Sequence, residues 1–221
     1  MDSVISIEAA RTLVADTVLW PRVRGFLWDF ALQVHPSWMD DVNGISGLPV
    51  ISGSSRTKAY ILSSLGVEPC FHDFPKGDWS RLALLDGETL LSIVKWLGAL
   101  ACAESMRRVT DGATVRALKA ALPGVYPEVF SYTAYFQKFD LAAKNVRNAK
   151  HPDEVLSIGF EMLSSLLDAC PVPLVKRFKL KFPKSLCVPC DEKKERFSVG
   201  DAVKKLLSSS SRRRIRYAAD K

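Results

Sequence analysis

Along the chain, stretches in which apolar residues return every three or four positions alternate with stretches rich in Gly, Pro, Ser and Asn. Leu13, Val14 and Val18 recur at helical spacing behind Ser6, a suitable N-cap, and predict a helix over residues 7–19. Trp20-Pro21 is expected to break or bend it. Phe26, Leu27, Phe30 and Leu32 predict a second helix over 22–34, ending before His35-Pro36 because the residue preceding proline avoids helical backbone. Residues 41–55 read as a loop. Tyr60, Ile61, Leu62 and Leu65 then mark a helix over 56–65, stopped by Gly66 in a left-handed C′ position. Between 86 and 103, Leu90, Leu91, Ile93, Val94, Trp96, Leu97 and Leu100 cover most of a helix circumference, the pattern of a helix packed among others. Gly98 within it costs about 1 kcal/mol relative to alanine, so another backbone is expected to approach closely there. Asp111 is placed to cap a helix with Val115, Leu118 and Leu122 apolar, stopped by Pro123-Gly124. The clearest amphipathic period spans 153–169, with Val155, Ile158, Gly159, Met162, Leu163, Leu166 and Leu167 on one face. With no repeat and no alternation of strands and helices, the predicted class is all-α: a single compact multi-helix domain of about eight or nine helices.

Charge changes the picture at one end. Residues 176–221 hold 15 Lys and Arg against 5 Asp and Glu, a net +10, while residues 1–175 hold 16 against 19, a net −3. The expected organisation is therefore a helical domain over 1–175 and a basic C-terminal extension over 176–221, its last dozen residues disordered. Hydrophobic residues make up 48% of the 221, enough for an ordinary core. The first residues lack the charged-then-apolar pattern of a secretory signal, which points to the cytosol. The most apolar run, 90–103, is shorter than the ~20 residues of a membrane span and is interrupted by Lys95. Five cysteines, Cys70, Cys102, Cys170, Cys187 and Cys190, form an odd set and are expected as free thiols.

The residue types that carry catalysis occur without the settings they need. Cys187-Val188-Pro189-Cys190 has redox spacing, but the acidic Asp191-Glu192 that follows opposes a thiolate. A structural zinc site needs matched ligand pairs, and no second pair accompanies it; Cys70 and His72 are too close together to serve. His35, His72 and His151 fit turn chemistry, and Asp73, Asp78, Asp86 and Glu88 fit capping and solvation. No phosphate-binding glycine motif is present. The chain is therefore expected to have no catalytic residue, cofactor or metal, and not to be an enzyme. Trp28, Trp38, Trp79 and Trp96 read as core, with Trp38 and Trp79, beside loops, the candidates for exposed anchors. Arg212–Arg216 could attach to an anionic membrane at about 1 kcal/mol per residue. For nucleic acid, only Tyr217 is nearby to stack on bases.

The segment Trp79-Ser80-Arg81-Leu82-Ala83-Leu84-Leu85-Asp86, then Lys95-Trp96-Leu97-Gly98-Ala99-Leu100, then Arg107 through Leu118, resembles the SctK family (YscK and PscK type) of bacterial type III secretion. The resemblance is strongest over residues 20–135, and the stretch from Cys187 to Lys221 is expected to depart from the family pattern. It implies a non-enzymatic adaptor of the cytosolic sorting platform, in the bacterial cytoplasm beside the inner membrane. Its implied partners are the cytosolic domain of the inner-membrane ring protein (SctD type) and the pod protein (SctQ type) that carries stator and ATPase. An adaptor needs complementary surfaces, and Arg107, Arg108, Arg116 and Lys119 could face an acidic partner. The alternative is a helical protein that binds nucleic acid or an anionic membrane through the basic tail.

Overall fold

The computed structural model describes residues 19–42, 54–68, 82–137, 151–167 and 170–187. The helix expected over 7–19 (save its last residue), most of the 41–55 loop, Cys70, His72, Trp79, Cys190 and the arginine cluster lie outside the described residues. All regular structure among those described is helical: α1 (Leu19–Trp28), 3-10 segments (Phe30–Gln33 and Pro36–Asp41, with a further 3-10 turn over 82–84), α2 (Ser55–Ser64), α3 (Gly87–Ala101), α4 (Ala103–Arg107), α5 (Gly112–Ala121), α6 (Val125–Gln137), α7 (Pro152–Ser165), α8 (Val172–Leu180) and α9 (Lys184–Cys187). The chain forms two compact units, the first from residues 1–87 with 169–188 and the second from 88–168 with 189–221.

In the first unit, Pro21 is the third residue of α1, a position that tolerates proline because the amides of a helix's first turn have no helical acceptor in any case. The helix expected to run to 34 instead stops at Trp28 and tightens into the 3-10 segment Phe30–Gln33. Val23, Phe26 and Phe30 turn inward, and the Phe26 and Phe30 rings meet edge to face at 5.6 Å. Trp28 falls on the opposite side and stays 57% exposed, so it is not core. The backbone leaves helical geometry at Val34 and His35, as Pro36 requires. Gly66 closes α2 at φ 67°, with Val67 N–H donating to Leu62 O (2.8 Å) and Gly66 N–H to Ser63 O (2.9 Å), a complete Schellman cap.

Residues 176–187, expected in the basic extension, form most of α8 and all of α9, and Leu174, Arg177, Phe178, Leu180, Lys181 and Phe182 are buried. Arg177 is fully buried, its guanidinium 5.4 and 5.1 Å from the Phe26 and Phe30 ring centres. It donates to Phe26 O and, at 2.8 Å, to Glu68 O. One turn on, Lys181 lies against the same two rings and donates to Ala83 O (2.6 Å) and Leu85 O (2.7 Å). Burial pulls its ammonium down to about 7; Asp86 opposes that shift and Arg177 adds to it.

The second unit is centred on α3 and α7, which cross backbone to backbone. A Cβ added at Gly98 would lie 2.9 Å from the Val155 carbonyl carbon, and one added at Gly159 would lie 2.8 Å from Gly98 N. This is the approach that the glycine inside α3 implied. Leu90, Val94 and Leu97 of α3 and Val155 and Leu163 of α7 are buried. Asp111 caps α5 by accepting from Thr114 N (2.8 Å), Ala113 N (3.3 Å) and Thr114 Oγ1 (2.6 Å). The Thr114 hydroxyl bond, then the two amide bonds, hold its carboxyl below the usual carboxylate range. Gly124 at φ 75° separates α5 from α6, a helix that the sequence pattern did not reveal.

Candidate protein-interaction surface

Four basic side chains proposed from sequence lie on α4, α5 and the turn between them, and two of them are organised by α6. Arg107 donates to Phe130 O at 2.9 Å and sits 5.5 Å from the Phe130 ring centre. Phe130 meets Tyr126 edge to face at 5.2 Å, one turn earlier on α6. Tyr126 in turn supports Lys119, whose ammonium is 5.9 Å from the ring centre. The result is a ridge of cation, ring, ring and cation, in which each charge rests on a π face that contributes about 0.5–1 kcal/mol at an exposed site.

Arg116, three residues before Lys119 on α5, is exposed. Among the described residues neither Arg116 nor Lys119 forms an ion pair, and the nearby Asp111 is occupied in capping. Arg108 differs: just past the end of α4, it pairs with Glu104 of that helix at 3.0 Å, and its charge is partly offset. The surface is thus basic at Arg107, Arg116 and Lys119, with two aromatic side chains fixing its ends. Sequence spacing placed the cations, whereas Phe130 and Tyr126 were missed because they lie on an unpredicted helix. The signal available was Tyr126 and Phe130 four apart, which one helical turn brings together.

Trp38 is no exposed anchor. Its indole N–H donates to Phe182 O at 2.8 Å, Lys184 N–H donates to Ser37 Oγ at 2.9 Å, and His35 N–H donates to Leu180 O at 2.8 Å. These bonds stitch the 35–38 turn to the end of α8. Among the described residues of this unit, the large apolar side chains that remain exposed are Trp28, Leu32 and Tyr60, with Val172 at the start of α8.

Cys187 is held in a setting that discourages redox chemistry. Burial pushes its thiol up to about 11, against a smaller opposing effect from Lys179, and its Sγ lies 3.4 Å from Lys179 O. His35 accepts from Ser37 N–H at 3.2 Å and His151 N–H donates to Glu154 Oε2 at 3.3 Å, both within turns that start helices. Among the described residues no three potential ligands gather into a metal site. Within the same residues no helix is long and apolar enough to cross a membrane.

Residues 27–213 match the family model described as YOP proteins translocation protein K (YscK). The match runs through Cys187-Val188-Pro189-Cys190 to Arg213, so the family model spans most of the stretch expected to depart from the family pattern and stops short of residues 214–221. No curated protein and no solved structure shows significant similarity to the chain.

Proposed function

This chain belongs to the YscK family of type III secretion proteins, and we propose that it meets an acidic partner through the basic ridge on α4, α5 and α6. Members of the family are non-enzymatic adaptors of the sorting platform, cytoplasmic and peripheral to the inner membrane. They bridge the inner-membrane ring protein to the pod protein. The work to be explained is therefore recognition. The observation that carries the proposal is the supported line Arg107, Phe130, Tyr126, Lys119, beside which Arg116 stands without an ion-pair partner among the described residues. Cations already resting on rings lose less freedom when a carboxylate docks than free lysines and arginines do. Charge complementarity of this kind accelerates encounter and sets register, and it weakens as salt rises.

The test is the double reversal Arg116→Glu with Lys119→Glu, measured by co-purification with the ring protein's cytosolic domain and with the pod protein at low and high salt. Binding to one partner should weaken about tenfold or more at low salt, with the melting temperature lowered by no more than about 4 °C, because both side chains are exposed and only the Lys119–Tyr126 contact of up to about 1 kcal/mol is lost. If both partners bind the reversed protein as tightly as the native one, the ridge is not the contact.

A further inference from the structure

Leu174, Arg177 and Phe178 anchor α8 in the first unit, and the other side of the same helix has a distinct chemistry. Val172, Lys176 and Lys179 are exposed, Val172 at 68%. Their spacing of four and then three residues sets them in one strip along α8, opposite the buried three. The charge on this strip is not offset. Lys176 donates to Gly66 O at 3.3 Å, a neutral acceptor, and among the described residues neither Lys176 nor Lys179 forms an ion pair. The chain has no Asp or Glu between Asp168 and Asp191, so neither α8 nor α9 carries an acid of its own. The excess continues in the sequence beyond them, where residues 188–221 hold 10 Lys and Arg against 5 Asp and Glu.

An apolar residue at one end with two long cations behind it suits the boundary between lipid headgroups and acyl chains. There the ammonium groups reach phosphates while the valine and the lysine stems lie against apolar surface. Each lysine near an anionic bilayer strengthens attachment about fivefold. Nucleic acid fits the strip less well, because none of its three side chains is aromatic and able to stack on a base. The family's place beside the inner membrane brings such a bilayer close to the protein. We infer that the Val172–Lys176–Lys179 strip of α8 is a peripheral contact for the anionic phospholipids of that membrane. The contact is separate from the basic ridge, which serves a protein partner, and either can fail without the other.

The full chain is sedimented with vesicles of phosphatidylglycerol and phosphatidylethanolamine, and with phosphatidylcholine vesicles as the neutral control, at low and at high salt. Native protein should bind the anionic vesicles, leave them as salt rises, and ignore the neutral ones. Lys176→Gln with Lys179→Gln should weaken binding to the anionic vesicles by about tenfold or more, and Lys176→Glu with Lys179→Glu should weaken it further through repulsion. Far-UV circular dichroism checks that each variant keeps the native helix content, as expected for exposed side chains. If the glutamate pair does not keep it, the glutamine pair decides alone. Folded variants that bind anionic vesicles as tightly as native protein overturn the strip as the contact. Native protein that sediments equally with both kinds of vesicle, or with neither, overturns it too. Native protein that binds duplex DNA and ignores the anionic vesicles overturns it in favour of nucleic acid.

Discussion

Replacing Gly98 with alanine sets two opposed effects against each other, and the geometry of the crossing decides between them. In an open helix the change gains about 1 kcal/mol of helix propensity. Here the new methyl would lie 2.9 Å from the Val155 carbonyl carbon, closer still to its oxygen, and 3.2 Å from Gly159 N. Carbon atoms pack best at about 3.5–4.0 Å, so α3 and α7 must part by on the order of 1 Å, and the obstacle is backbone that cannot swing aside. A gap of about 0.5–1 Å forfeits a quarter to a half of each contact's attraction, and a buried leucine makes about 40–60 such contacts of about 0.1–0.2 kcal/mol. Overpacking of this kind costs about 1–3 kcal/mol when side chains can adjust, and a backbone clash belongs at or beyond the upper end. The net expectation is a loss of about 2 kcal/mol, or a melting temperature lower by roughly 4–8 °C, read by circular dichroism on heating. Gly159→Ala should behave alike, since its methyl would meet Gly98 N and Val94 C at 2.8 and 3.0 Å. One separation relieves both methyls, so the double variant should cost clearly less than the sum of the singles. A Gly98→Ala protein that melts at or above the native temperature would refute the close crossing.

Two further outcomes concern the buried cations. Lys181 has an ordinary value of 10.5 when unfolded and about 7 when folded, so between these values the unfolded chain binds more protons and stability rises with pH, by at most about 1.4 kcal/mol per unit. Urea midpoints at pH 7, 8 and 9 should climb more steeply for native protein than for Lys181→Met; equal slopes would show that Lys181 is not desolvated in this way. Arg177→Lys keeps the charge but cannot reproduce the guanidinium's donation to both Phe26 O and Glu68 O, and should lower stability by about 1–3 kcal/mol in denaturant titrations. A lysine variant as stable as native would mean those two carbonyls do not depend on the fork.

Those same cations mark where reading the sequence stops. Local signals were legible: Gly66 ends α2, Asp111 caps α5, and the glycine in α3 foretold a neighbouring backbone. Arg177 and Lys181 looked like part of a solvated basic tail because the groups that satisfy them, the carbonyls of residues 26, 68, 83 and 85, are about 90–150 positions away. Nothing in the local composition reports such partners. α6 was missed because Pro127 and the aromatic and β-branched residues around it carry weak helix propensity, and packing settles their state. Trp28 was read as core from its residue type; the spacing of Val23, Phe26 and Phe30 already placed it on the outer side. The basic ridge was half legible, with its cations given by sequence and its aromatic supports given only by the fold.

The grip of α8 on Phe26, Glu68, Ala83 and Leu85 also orders events during synthesis. The first unit is begun by residues 1–87 but closed only by 169–188, whereas residues 88–168 of the second emerge in one continuous run. At about 5–20 residues per second, α8 follows residue 87 by several seconds to about 20 seconds. Throughout that interval Phe26 and Phe30 lack the two cations that later cover them, and the carbonyls at 68, 83 and 85 lack their donors. The α3–α7 crossing can form before α8 reaches the segments that precede it in the chain, so residues 1–87 wait longest for the contacts that cover them and are the part most exposed to chaperones and proteases on the ribosome.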